Sequence, residues 1–597
     1  MADYSEKKTD ILIVGAGGAG LFAALYADDN TPDSVDVTVI VKKLAGKSGC
    51  TRMVQGGYNA VLHPDDSIEL HYYDTIKGGK FINDQEIAWK LVENAPRIIR
   101  KLENELGVFF DRSEDGHVHQ KPFAGQSFDR TVHKGDLTGI EIMTKLRDEL
   151  LTRNVELVEE TRAVDLLTSN DKVSGAVCLD MRAGDFHVYS SKAVVLATGA
   201  GATMYKISTP ALEKSADGQA MAYRRGVPFQ DMEMMQFHPT GLLAGDTKLT
   251  GGVIEEGIRG EGAHLYNGED ERFMEKYAPE EMERATRDIV SIASYKEIME
   301  GRGSPNGGVW LDATHLGKER VEELFPGMCE RTRNVGMPLS ETRVEVSPTA
   351  HYHMGGAMIG SDCHSNLEGL FVAGEDAGGA HGANRLGGNG VVDSTVLGKV
   401  SGEAVAEFIE GRSPPEIDED QVRDVISRVT APLNRDNGID IYELRDDLEE
   451  TMWECVGVVR NEEKLEEGIN RIEDIQARLD EVAVSGSRRY NLEWNEFIDV
   501  ENLATAAEMV TRSALYREES RGSHYREESP DRNVSEGWLK NVCVQKDNET
   551  MDVWHEDIEF TRLHPDDASP SAVRPSDDAN RSTAVETDGG KSDRANK

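Results

Sequence analysis

Three glycines carry the first chemical signal in this chain. Gly15, Gly17 and Gly20 are spaced G-x-G-x-x-G within "DILIVGAGGAGLFAALYADD", directly after an apolar run and at the start of a helical pattern. Glycines there permit a tight turn, and they let backbone N–H groups and a helix N-terminus meet a pyrophosphate. The chemistry implied is dinucleotide binding by Gly15, Ala16, Gly17, Gly18, Ala19 and Gly20. The second apolar run ends Val41-Lys42-Lys43, without the acid that holds an adenosine ribose in an ordinary NAD site. A second small-residue loop, "AGKSGCTRMVQGGYNAV", holds a thiol at Cys50 and then Gln55-Gly56-Gly57, where two bare backbones could approach a ligand closely.

Positioning these loops takes several chain segments. The run "DILIV" reads as a strand, the glycine turn opens a helix, and "VDVTVIVKK" reads as the next strand. Two further apolar runs, "KAVVLATGAGA" and "LEGLFVAGEDAGGAHGANRLGGNG", also end in glycines. Three strands ending this way at wide separation imply one ligand assembled from distant segments. Residues 245–345 are mixed and loop-rich, as an inserted domain would be. From about 418 to 515, apolar residues three and four apart predict a helical bundle.

Bulk properties bound the possibilities. At 597 residues the chain should fold as two or three domains. Its net charge of -43, from 109 Asp+Glu against 66 Lys+Arg, argues against nucleic acid or an anionic membrane as a direct partner, and points to a halophilic source. The six cysteines lie apart with no C-x-x-C, so neither a disulfide framework nor a metal site is expected. With no apolar run of spanning length and no signal-like N-terminus, the expected location is cytoplasmic, with any membrane contact through a partner protein.

From Asp10 to Val544 the segments "VGAGGAG", "VQGG", "FAGQS", "ATGAGA", "ADGQAMA", "MEMMQFHPTGL", "EEGIRGEGA", "ATRDIVS", "PTAHYHMGG" and "REESRGSHYREESPDRN" occur in order. Together they resemble the flavoprotein subunit of succinate dehydrogenase and fumarate reductase, a group that also includes L-aspartate oxidase. The resemblance implies an α/β fold. A Rossmann-like FAD-binding domain would span 1–244 and 346–415, an inserted α+β capping domain 245–345, and a helical C-terminal domain 416–545. An extension over 546–597 would be disordered from about 564, where Ser, Pro and Asp dominate.

The resemblance also assigns residues. It implies FAD contacts at Lys42, Cys50, Thr51, Gln55, Gly56, Gly57, Asp217, Glu375, Gly390 and Val391, with Asp217 and Glu375 accepting from ribose or ribityl hydroxyls. Succinate dehydrogenases commonly place a flavin-bonding histidine where this chain reads Ser48-Gly49-Cys50-Thr51, so FAD is expected to be non-covalent. A lower flavin potential would follow, favouring fumarate reduction. For a C4 dicarboxylate, His238, His351 and Arg385 match the substrate ligands, and Phe123 and Gln126 match the reductase segment near the substrate. Arg287 matches the proton donor, with Glu256 and Arg259 as its relay. Glu255 stands where the family usually has a threonine that binds a substrate carboxylate. An ammonium group opposite Glu255 would favour an amino-acid substrate, which keeps L-aspartate oxidase as the alternative. An iron–sulfur subunit is the implied electron partner.

Overall fold

The computed structural model describes residues 4–245, 247–532, 536–548 and 550–574. Its centre is a five-stranded parallel sheet in the order Leu370–Val372, Ala193–Leu196, Ile11–Val14, Val37–Val41 and Val155–Glu159. The inner strands are continuous apolar runs because both faces of a parallel sheet are covered. Helices Gly18–Asp29 and Asn389–Phe408 lie against one another beside it, and Gly398 and Gly402 make that closeness possible. A Cβ at either would come within 2.5 Å of the backbone oxygen of Ala19 or Ala23. A second sheet, in the order Tyr4–Lys8, Asp185–Ser190, Lys172–Asp180 and Thr161–Ser169, flanks this core.

A separate antiparallel sheet joins Met235–Leu242, Val344–His353, Val309–Asp312 and His264–Tyr266. It has its own apolar cluster, including Leu242, Ile254, Leu311, Phe325, Met328 and Val346. The strands Met235–Leu242 and Val344–His353 carry the chain into this unit and back, so residues at their ends face both it and the parallel-sheet unit.

Four helices, Glu419–Thr430, Ile441–Cys455, Glu462–Leu479 and Leu492–Tyr516, follow as the helical pattern predicts. Each is capped by an Asp or Asn side chain that accepts from a first-turn N–H: Asp418, Asp440, Asn461 and Asn491.

The C-terminal segment departs from expectation. Strand Lys540–Asp547 pairs with Thr550–Asp557 and with Phe229–Gln230. Beyond it, the chain expected to be disordered from about 564 is packed as far as Arg574. Leu563 and Val573 are buried, the Gln85 side chain donates to the Leu563 carbonyl, and Arg562 pairs with Glu86 and lies 4.5 Å from the Trp89 ring. Two apolar anchors and one buried, paired arginine hold this stretch, although the composition around them is polar. The rest of the expected disorder, 575–597, lies outside the described residues. Among the described residues no helix is long and apolar enough to cross a membrane.

Candidate active site

One cavity of about 590 Å³ runs from the Gly15–Ala19 turn, past the ends of the central strands, to the strands entering the second unit. At its first end, Gly15 has φ +110°, and a Cβ there would sit 2.2 Å from the Ala197 oxygen. A Cβ at Gly20 would sit 1.9 Å from the Gly15 oxygen, so strand, turn and helix meet with backbone alone. The Gly18 N–H donates to Thr51 Oγ1 at 3.1 Å, tying the turn to the loop that carries Cys50. Deeper in, Gly56 lies under the Phe123 ring, where a Cβ would come within 2.3 Å, and Gly57 has φ +133° against the Val132 oxygen. Gly390 and Val391 lie in the first turn of Asn389–Phe408, whose positive end faces the cavity.

These residues fit a flavin dinucleotide. The wall is backbone where a diphosphate and a flat ring need close approach. Gln55 lines it with a buried Oε1 that has no partner, its amide nitrogen being given to the Val253 carbonyl.

Two expected hydroxyl acceptors are placed differently. Asp217 lines the cavity, but its oxygens are taken by Lys42, Arg162, Ser215 and Asn502. Burial pushes its carboxyl up, but Arg162 and Lys42 outweigh burial and hold it below the usual range. Its first service is therefore to anchor Lys42, which also meets Asp499 at 2.9 Å. Glu375 is similarly engaged by the Lys214 ammonium and the His353 N–H. Cys50 lies on the wall, and burial raises its thiol above the ordinary value even with Lys214 nearby. That leaves a neutral thiol, a poor nucleophile.

At the other end the polar residues converge. His238 and His351 pack edge to face, ring centres 5.3 Å apart. The Thr240 backbone N–H reaches His238 Nδ1 at 3.3 Å, so Nδ1 is the acceptor and Nε2 carries the proton in the neutral ring. Thr209 holds His351 Nδ1 at 2.8 Å. Burial, reinforced by Arg287, depresses both imidazoles well below their ordinary value and keeps them neutral.

Arg287 heads helix Arg287–Glu297, and its NH2 and Nε reach Glu256 Oε2 at 2.6 and 2.8 Å. Its NH1 donates to Gln236 Oε1 at 3.1 Å, and Gln236 donates in turn to the Arg385 carbonyl at 2.7 Å. A side chain that sequence reasoning passed over, although it precedes His238 by two positions, thus joins the two arginines. Neighbouring Asp288 does not pair with Arg287. It turns to Arg532 and Thr286, and although burial opposes ionisation, Arg532 and Lys80 hold its carboxyl down at about 2. Behind Glu256, at 3.7 Å, stands buried Arg259, off the cavity wall.

Arg385 lies 4.2 Å from the Tyr352 ring. It is buried, its Nε has no partner, and burial followed by Arg287 lowers it to about 10. A dry cation held this way favours an anion in the adjacent space. Phe123 touches the same point: a Cβ on Gly387 would lie 2.6 Å from its ring, 2.9 Å from Glu256 and 3.2 Å from Arg287. Gln126, expected beside the substrate, is not on the cavity wall. Its amide donates to Asn59 Oδ1 and the Gly387 carbonyl, bracing the turn before Asn389. Glu255 does line the cavity, and its Oε1 accepts from Lys121 Nζ at 3.2 Å. One oxygen of Glu255 therefore takes its ammonium partner from this chain, and the other, Oε2, is buried without a partner.

Comparison with known proteins identifies the family. Residues 10–391 match the FAD binding domain family model, and 445–574 match the fumarate reductase flavoprotein C-terminal model. A fumarate reductase (CoM/CoB) subunit of Methanothermobacter marburgensis is 40% identical over 546 residues, covering 90% of this chain and 97% of that one. An uncharacterised FAD-dependent oxidoreductase of Methanocaldococcus jannaschii is 42% identical over 556 residues, covering 93% and 98%. Among solved structures, an Escherichia coli quinol fumarate reductase chain superposes with TM-score 0.89 at 32% identity, over 94% of this chain and 98% of that one. FAD is the cofactor that this set of matches supports, and they favour the catalytic-subunit reading over L-aspartate oxidase. This chain belongs to the fumarate reductase/succinate dehydrogenase flavoprotein family.

Proposed function

We propose that this chain interconverts fumarate and succinate with Arg287 as the group that gives or takes the proton. The observation that carries the proposal is the Arg287–Glu256 pair with Arg259 behind it, set beside His238, His351 and Arg385 on one wall. FAD, when bound, supplies or accepts the hydride. Arg385 and His351 hold one carboxylate of the C4 diacid, and His238 Nε2 donates to the other. Arg287 then delivers a proton from its guanidinium to an alkene carbon, and Glu256 returns one to it. Arginine is a weak acid in water. Burial opposes ionisation of Glu256, but Arg287 and Arg259 keep it a carboxylate, so it passes to Arg287 a proton that must itself be drawn from Arg259, 3.7 Å behind, and finally from solvent; no free neutral arginine accumulates.

Reduced-dye fumarate reduction and peroxide release from L-aspartate should be assayed side by side, in molar salt because we read the charge of -43 as halophilic. Fumarate should react and aspartate should not; activity on aspartate alone overturns the reading. The flavin is proposed to be non-covalent. Among the described residues the histidines on the cavity wall, His238 and His351, are at the substrate end, and Cys50 is a neutral thiol. Acid precipitation should leave the yellow colour in the supernatant, and colour in the pellet refutes the assignment.

Electrons are proposed to arrive through an iron–sulfur subunit, because relatives are named as flavoprotein subunits of quinol-linked reductases and succinate dehydrogenases. Any membrane contact, on the inner face, would then come through that assembly. The relative from Methanothermobacter carries CoM/CoB in its name, so the donor behind the partner is best identified by what copurifies from native cells.

A further inference from the structure

Glu255 is an acidic residue of the cavity wall that the mechanism above does not use, and unlike Asp217 and Glu375 it has an oxygen with no partner. It is 1% exposed and lines the same cavity as His238, Arg287, His351 and Arg385. Oε1 is held by Lys121 Nζ, which also donates to the Gly135 carbonyl from outside the wall. Oε2 is buried and has no partner. A buried, unsatisfied carboxylate oxygen beside a site for a dianion is unstable as a charge, and it gains if it becomes a donor.

We propose that Glu255 is a protonatable carboxylate clamp, taking one proton from solvent as the C4 diacid binds so that Oε2–H donates to a substrate carboxylate oxygen. This rests on the dicarboxylate reading above. The proton balance is simple: the free site carries an ionised Glu255 at high pH, and the complex holds the diacid with Glu255 neutral. No electrons change hands, and the one bond formed is Oε2–H, its proton coming from solvent. The surroundings support the switch. Burial raises this carboxyl to about 7; Lys121 on Gln120–Lys121 opposes the rise, and Asp136 and neighbouring Glu256 add to it. Asp136 is itself fixed by the Gly327 and Met328 N–H groups at the start of Pro326–Asn334, whose Arg331 lines the same cavity. His133, near Lys121, is depressed to about 4 by burial and then by Lys121, so it stays neutral through the relevant range.

The sign follows from a raised acid. Below about 7 Glu255 is already neutral and diacid affinity is flat. Above that value the binding-competent fraction falls about tenfold per pH unit. The test uses the flavin-loaded protein and malonate, a diacid with no carbon pair to oxidise, followed by calorimetry in buffers of different ionisation enthalpy between pH 7 and 9. Wild type should take up close to one proton per malonate near pH 8.5, with KM for fumarate rising in parallel. Glu255→Gln, a permanent neutral donor, should abolish both the uptake and the rise. Lys121→Met, off the cavity wall, should move the break to higher pH, since the opposing cation is gone. Loss of these trends in wild type, or the same break in Glu255→Gln, overturns the clamp while fumarate reduction stands. If wild type binds neither malonate nor fumarate, both readings fall. Should Glu255→Gln not fold, the wild-type proton count and the direction of the Lys121→Met shift still decide the matter.

Discussion

Replacing Arg287 by glutamine will lower kcat for fumarate reduction by roughly 100- to 10,000-fold, the range that a positioned proton donor supplies. Glutamine can place its amide nitrogen where the arginine Nε meets Glu256, falls short of Gln236, and has no acidic proton to give. The structure makes this a test of proton delivery rather than of folding. Arg287 stands at the head of its helix, and the ion pair that pins that helix start belongs to Asp288 and Arg532. The variant should therefore retain flavin and bind malonate within a few-fold of wild type, and kcat and kcat/KM should fall together, as expected for an interaction used in the transition state. A variant within tenfold of wild type would assign the proton to another group.

Arg385→Met gives the second large effect, of a different kind. Methionine preserves contact with the Tyr352 ring and removes the cation, so about 3–4 kcal/mol of carboxylate binding should be lost, roughly 10²–10³-fold in kcat/KM. Arg385 is buried with an unpartnered Nε and is lowered to about 10 by burial and Arg287, which Tyr352, Glu375 and Glu256 offset only in part. Removing it should leave thermal stability unchanged or higher while diacid affinity collapses. Steady-state fumarate titrations and melting curves on the same sample check both halves. A loss of stability with intact affinity would make Arg385 a structural cation instead.

The two substitutions separate roles that meet in one place. Gln236 connects the Arg287 guanidinium to the Arg385 backbone, so the proposed proton donor and carboxylate clamp share a rigid mount at the start of strand Met235–Leu242. Rigid placement of this kind is what converts binding into orientation.

The sequence by itself determined what is local. Gly15 and Gly20 could be read because a turn that tolerates no Cβ leaves a spacing, and the apolar strands because a sheet covered on both faces leaves unbroken runs. His238, His351, Arg287 and Arg385 were singled out through the family resemblance, each in a motif of its own, and the fold brings all four to one cavity. Only the tertiary structure decided which partners these side chains take. Lys42 meets Asp499 across 457 positions and Asp288 meets Arg532 across 244, while Lys121 meets Glu255 across 134. Such pairings follow from how sheets and helices stack, and no local pattern encodes them. For the same reason Asp217 and Glu375, polar and near glycine turns, read as free acceptors in sequence, whereas Lys42 and Lys214 hold them in the fold. Gln126 reads as a substrate contact, yet its amide braces the backbone at Gly387. Burial finishes the account: it keeps His238 neutral and leaves Glu255 poised near 7, and the free energy of a charge depends on the water removed around it, which the order of residues does not state.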